Sequence, residues 1–265
     1  HPDVIVACFG QSNALGSNNF PAATSAWTDD RFGLRWRFWS EDSGSYFAGQ
    51  GTASSSGTVG GGLVPMTTFT AGATRFSPAL ALSRYLAVGG FGVAGSLVGQ
   101  GSTNLASAWN ASNPGAANLY QVFRGELEAA ITQILAAGLV DATNYRLVGL
   151  WVQGEADAAS ALNSGDPSGD TYRDNLLDLF DTFAADFAEH TPSMLVAQLN
   201  DASTQTFKDA VRVGQTNAAA ARPGITLIDP GAIPLGVGDG LHYNPANHQA
   251  VMRIAAGALA TQLTS

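Results

Sequence analysis

Five short polar stretches could do chemistry, and each follows an apolar run. They are "GQSN" (10–13), "GQGSTN" (99–104), "QGEAD" (153–157), "NDAS" (200–203) and, at slightly greater remove, "GDGLHYN" (238–244). The first holds Ser12, whose hydroxyl becomes a nucleophile only when a base takes its proton; histidine is the usual base near neutral pH. The chain has 4 histidines. His1 is terminal, His190 ends a charged helix and reads as its C-terminal cap, and His248 falls in the closing helix, within reach of the Asp239 loop. That leaves His242 as the candidate base. A carboxylate must hold its imidazole in the right tautomer and stabilise the charged ring, and Asp239 sits three residues earlier on the same turn. The oxyanion of a tetrahedral intermediate needs donors; the backbone N–H groups of Ser12 and Gly101 and the side-chain amide of Gln153 are available. Ser12 taken alone reads as a helix-capping serine, so the chemistry rests on the stretches together.

These stretches need a frame that brings them to one place. "VIVACF" (4–9), "GVAGSLVG" (92–99), "YRLVGLWVQ" (145–153), "SMLVAQL" (193–199) and "GITLID" (224–229) are continuous apolar runs of strand length. Runs without polar alternation suit strands covered on both faces, as in parallel sheets. Helical patterns lie between them, at 77–87, 117–138, 171–190, 203–221 and 245–263, with Pro78 near the start of the first. The alternation predicts an α/β fold: a three-layer α/β/α sandwich around a mostly parallel, five-stranded sheet. Ligands of such sheets gather beyond the carboxyl ends of the strands, where the polar stretches fall. Residues from about 20 to 76 break the rhythm with Gly, Ser, Thr and aromatics. They read as a loop-rich insertion within one domain spanning 1–265, either plain surface or one wall of a substrate cleft.

Composition excludes several classes. The net charge is −9 and Lys208 is the single lysine, so the basic footprint of a nucleic-acid binder is missing. No run reaches the roughly 20 apolar residues of a membrane helix, and "HPDVIVACF" lacks the basic region of a signal peptide. The single cysteine, Cys8, cannot form an intramolecular disulfide and reads as a small core residue. "GFGVAG" (90–95) has dinucleotide-loop spacing but leads into a strand rather than out of one. "GQSNA" is not the Gly-x-Ser-x-Gly elbow. Without His-Glu-x-x-His or paired cysteines, no metal is expected.

"GQSN" near the N-terminus, "QGEAD" in mid-chain and "DGLHYN" near the C-terminus resemble, in order, the motifs of the SGNH (GDSL-like) hydrolase superfamily. Within it the chain is similar to the branch of sialic-acid O-acetylesterases and carbohydrate esterase family 6 acetylxylan esterases. The resemblance runs from Val4 to about His248. It implies a three-layer α/β/α fold and cofactor-free hydrolysis of acetyl esters on an oligo- or polysaccharide; composition adds the expectation of no nucleic-acid and no membrane partner. It further implies Ser12 as nucleophile, His242 as base, and Gly101 and Gln153 completing the oxyanion hole with Ser12. Where the branch has Gly-Gly-Thr, this chain has Gly101-Ser102-Thr103. Asp239 is the expected acid, with Glu155 of "QGE" as the alternative. The expected location is secreted or extracellular. Asp157 reads as a loop-capping acid, Asn13 as bonding within its own turn, and Trp109 as a sugar-stacking ring or a core or rim residue. The rival functions are a glycan-binding domain that has kept the fold without catalysis, and a general short-chain carboxylesterase.

Overall fold

A computed structural model describes residues 2–15, 17–18, 35–40, 64–65, 75–113, 118–160, 165–236 and 238–264. The strands are β1 (Asp3–Gly10), β2 (Ser17–Asn18), β3 (Arg35–Ser40), β4 (Val64–Pro65), β5 (Arg75–Phe76), β6 (Val93–Gly99), β7 (Tyr145–Val152), β8 (Ser193–Ala197) and β9 (Ile225–Ile228). The helices are α1 (Ser12–Leu15), α2 (Pro78–Val88), α3 (Leu119–Ala136), α4 (Glu155–Ala159), α5 (Asp170–Asp186), α6 (Lys208–Ala221) and α7 (Pro245–Thr264).

The main sheet has the order β4-β3-β6-β1-β7-β8-β9. The five strands expected from the apolar runs form its parallel centre, β6-β1-β7-β8-β9. β3 adds a sixth parallel strand and β4 pairs with it antiparallel at the edge. Both come from the 20–76 stretch, and β2 with β5 makes a separate two-stranded ribbon. The rest of that stretch, and with it the expected cleft wall, lies outside the described residues.

β1 is buried along nearly its whole length because each face meets its own layer. Ile5, Ala7 and Phe9 point to one side, where α3, α5 and α6 supply Phe123, Leu127, Phe183 and Val211. Val4, Val6 and Cys8 point to the other, against Leu82 and Leu86 of α2 and Val251, Met252 and Leu259 of α7. The result is the α/β/α sandwich. Cys8 is fully buried, and that burial pushes its thiol pKa far up, so it is inert core. Trp109 is also core: it is 0% exposed, packs edge-on to Trp151 at 5.4 Å, and so cannot stack on a sugar. Among the described residues no helix is long and apolar enough to cross a membrane.

Ser77 caps α2 by accepting from the Ala79 N–H, with Pro78 opening the helix. The expected helix at 171–190 stops earlier. α5 ends at Asp186, and His190 lies in a separate turn of 3-10 helix, where its ring bonds the Tyr145 hydroxyl and Glu189. It does not cap α5. α6 starts at Lys208 rather than at 203. Residues 203–207 stay a loop because Thr204 N–H is drawn to Gly240 O at 3.1 Å.

α7 brings His248 into the core, 2% exposed, with its ring 5.1 Å from that of Tyr243. Its Nε2 has no partner among the described residues. Burial, and after it charge on His242, lowers its pKa from 6.5 to about 3. The folded chain therefore keeps the ring neutral where the unfolded chain protonates it. This stabilisation is whole above the unfolded value and is lost as pH falls toward the folded one, at about 1.4 kcal/mol per unit. Asp157, raised by burial to about 6, acts oppositely and favours the fold at low pH. Urea melts are therefore expected to show the wild type losing about 2 kcal/mol more than His248→Phe on going from about pH 6.5 to about pH 5. Parallel pH profiles for the two proteins would contradict the buried neutral ring.

Candidate active site

β6, β1 and β7 lie side by side, and their ends are level: Gly10 pairs with Gly99 on one side and Val152 on the other. The loops that leave them therefore emerge together. Gly10 has φ +142°, and a Cβ there would collide with the Val152 carbonyl oxygen, so this exit from the sheet requires glycine. Gln11 N–H then bonds Val152 O at 3.1 Å and Ser12 opens α1. β7 ends in the same way. Gly154 has φ +150°, and α4 starts at Glu155.

Ser12 and His242, from opposite ends of the chain, are in contact: His242 Nε2 lies 2.8 Å from Ser12 Oγ. The other ring nitrogen, Nδ1, lies 2.7 Å from Asp239 Oδ2. Asp239 Oδ1 also accepts from the N–H groups of His242 and Leu241, both at 2.9 Å. Burial acts upward on the Asp239 carboxyl, but these hydrogen bonds outweigh it and hold its pKa below the usual range. The carboxylate is thus ionised and fixes the tautomer: Nδ1 carries the proton, leaving Nε2 to accept from the serine. Serine, imidazole and carboxylate in this order can move a proton from Oγ to Nε2 while the carboxylate supports the charge.

Glu155 takes another place. It is 6% exposed and does not bond the imidazole; Oε1 accepts from Asn13 Nδ2, and Oε2 has no partner among the described residues. Burial raises its pKa against the pull of the Asn13 hydrogen bond. Asn13 does not bond within its own turn. Its Nδ2 donates to Leu241 O at 3.1 Å and its Oδ1 accepts from Tyr243 N–H at 3.3 Å, so it grips the backbone on both sides of His242. "NDAS" has a supporting part as well: Asn200 Nδ2 donates to Ile233 O at 2.7 Å and to the Tyr243 hydroxyl at 2.9 Å. No local signal in the sequence marks either asparagine, because their partners are remote.

Of the three expected oxyanion donors, two have their N–H groups uncommitted and lie near one another. Ser12 N–H and Gly101 N–H have no acceptor among the described residues, and a Cβ built on Gly101 would sit 4.0 Å from Ser12 Cβ. Gln153 is a correction. Its Nε2 donates to Thr103 O at 3.0 Å and to Asp157 Oδ2, which uses both amide protons, and its Oε1 accepts from the Tyr172 hydroxyl at 3.0 Å. Asp157 also accepts from Leu105 N–H at 2.9 Å, a capping contact as expected. Among the described residues no group of His, Cys, Asp and Glu could hold a metal ion.

Ser102 has φ +58°, the left-handed region, where a glycine is free of strain and a serine is not. Ser102→Gly is expected to raise stability by about 0.5–1 kcal/mol, the relief of strain being offset in part by the looser unfolded chain. Chemical denaturation checks it, and a loss of stability would show that the serine side chain holds the turn.

No family model matches the sequence, and no curated protein is significantly similar to it. Solved structures do match. A protein of Arabidopsis thaliana shares 15% identity at a TM-score of 0.70, covering 99% of this chain and 100% of that one. A structure described as a novel carbohydrate acetylesterase from Xanthomonas citri shares 16% identity at a TM-score of 0.59; 96% of this chain covers 55% of that one. The family 3 carbohydrate esterase of Clostridium thermocellum shares 12% identity at a TM-score of 0.53, over 99% of this chain and 97% of that one. The chain thus shares the α/β/α fold of these structures, two of which are described as carbohydrate esterases.

Proposed function

We propose that the chain is a serine esterase that removes O-acetyl groups from an oligo- or polysaccharide through an acyl-enzyme, acting outside the cell. One observation carries the reading: His242 lies between Ser12 Oγ at 2.8 Å and Asp239 Oδ2 at 2.7 Å, within hydrogen-bond reach of both. The carbohydrate part draws on the fold neighbours described as carbohydrate esterases.

In this mechanism His242 Nε2 takes the Ser12 proton as Oγ attacks the acetyl carbonyl. The oxyanion forms beside the N–H groups of Ser12 and Gly101, which meet it without reorganising. The tetrahedral intermediate collapses, the carbon–oxygen bond to the sugar breaks, and His242 gives its proton to the departing alcohol. Water then attacks the acetyl-Ser12 ester, with its proton taken by the same Nε2. Collapse of the second intermediate returns the proton to Ser12 Oγ and releases acetate. Asp239 stays ionised throughout and stabilises the imidazolium. Glu155 acts at a distance, anchoring the Asn13 side chain that grips the His242 backbone.

Ser12→Ala is expected to abolish p-nitrophenyl acetate hydrolysis and labelling by a fluorophosphonate probe. Asp239→Asn is expected to lower kcat by roughly 10³–10⁴, as loss of the orienting carboxylate does in serine proteases. Glu155→Gln, which keeps an acceptor for Asn13, is expected to lose far less. The reverse ranking would make Glu155 the acid. Acetate release across acetylated polysaccharides identifies the substrate. Activity on simple short-chain esters alone would favour a general carboxylesterase, and an unlabelled Ser12 would favour a non-catalytic glycan binder.

A further inference from the structure

We propose that Asp157 is a positioning residue for the Gly101 donor, acting through Gln153 and Leu105; this rests on the esterase reading above. The turn that carries Gly101 is fixed at three points. Gln100 N–H bonds Gly10 O at 3.1 Å, tying the start of the turn to the end of β1. Thr103 is tied three ways: its Oγ1 donates to Gln100 O at 2.8 Å and accepts from Trp109 Nε1 at 2.9 Å, and its carbonyl accepts from Gln153 Nε2 at 3.0 Å. Leu105 N–H ends on Asp157 Oδ2 at 2.9 Å.

The same oxygen, Oδ2, takes the other amide proton of Gln153. One carboxylate atom therefore pins Leu105 and the Gln153 amide to each other, and Gln153 passes that constraint to Thr103, two residues from Gly101. A neutral side chain would suffice to cap Leu105 N–H. A buried carboxylate, 4% exposed, adds charge-assisted bonds that are shorter and stronger than neutral ones. Gln153 is held from behind as well: its carbonyl accepts from Gln215 Nε2 at 3.1 Å, and its Oε1 from the hydroxyl of the fully buried Tyr172. Between the fixed points lie Gly101 and Ser102. The left-handed Ser102, at φ +58°, is a conformation that persists only where the surroundings over-determine it. Asp157 and Gln153 provide that determination. Gln153 is then a strut under the oxyanion site rather than a donor into it.

The test compares the wild type with Asp157→Asn, Gln153→Met and the double variant on p-nitrophenyl acetate, with fluorophosphonate labelling of Ser12 measured in parallel. Each single change is expected to lower kcat roughly 10–100-fold, short of the 10²–10³ that removal of an oxyanion donor itself brings. KM should stay within about threefold. The labelling rate should fall in step, and the double variant should be no slower than the slower single one. A lower melting temperature with kcat unchanged would reduce Asp157 to a structural cap and overturn the proposal. Multiplying losses in the double variant would also overturn it, since Gln153 would then act on the oxyanion independently. If Asp157→Asn does not fold, Gln153→Met, which removes the side chain that links Asp157 to Thr103, decides: a roughly 10–100-fold loss confined to kcat supports the proposal, and kcat within twofold of wild type overturns it. A wild-type chain that is neither labelled nor active defeats the esterase reading itself and takes this proposal with it. An active wild type with normal Asp157→Asn rates defeats this proposal alone.

Discussion

The contact between Ser12 and His242 joins two loops that have unequal means of support. Ser12 leaves the middle strand of a parallel sheet two residues after its register with both neighbours ends, so the sheet itself fixes it. His242 has no strand directly beneath it; it lies beyond β9, in irregular chain that leads to α7. Side-chain hydrogen bonds, helped by isolated backbone contacts, stand in for the missing ladder. Asn13 grips Leu241 and Tyr243, Asn200 holds the Tyr243 hydroxyl, and Thr204 N–H bonds Gly240 O. A bond of 2.8 Å between such distant residues holds only if both loops are stiff, and here the serine loop supplies part of the stiffness of the histidine loop.

The short helix α4 organises both halves of the site. It carries Glu155 and Asp157, two residues apart and therefore facing different ways. Glu155 reaches Asn13 and so the histidine side; Asp157 reaches Gln153 and Leu105 and so the Gly101 side. Both carboxyls are buried, and burial raises the pKa of each. Buried carboxylates are unfavourable unless well bonded, and Asp157 meets that condition with two donors on one oxygen. The site is thus framed by acidic groups that do not touch the reacting atoms, while the exposed Asp239 is the one that touches the imidazole.

The parallel centre of the sheet was legible because strands buried on both faces must be apolar throughout, as "VIVACF" is. β3 was not: "RWRFWS" has charged residues beside aromatics and sits in a segment dominated by Gly and Ser. Ser12, His242 and Asp239 could be named because their chemistry restricts residue type and because Asp239 and His242 share one turn. The parts played by Asn13, Gln153 and Trp109 could not be read, since each is decided by partners far along the chain or by burial. Asn13 reaches Leu241 across 228 positions, and nothing in "GQSN" reports that. Gln153 sits in the expected loop but faces the other way, because Thr103 and Asp157 compete for its protons.

The placement of β1 bears on how the molecule is made. β1 precedes both of the strands it lies between, β6 and β7, and the second of them ends only at Val152. At ribosomal speeds of 5–20 residues per second, a fully apolar segment waits on the order of ten seconds before both its edges can pair. Such a segment is a template for intermolecular association while it waits. Closure of both edges of β1 therefore waits on chain made well after it.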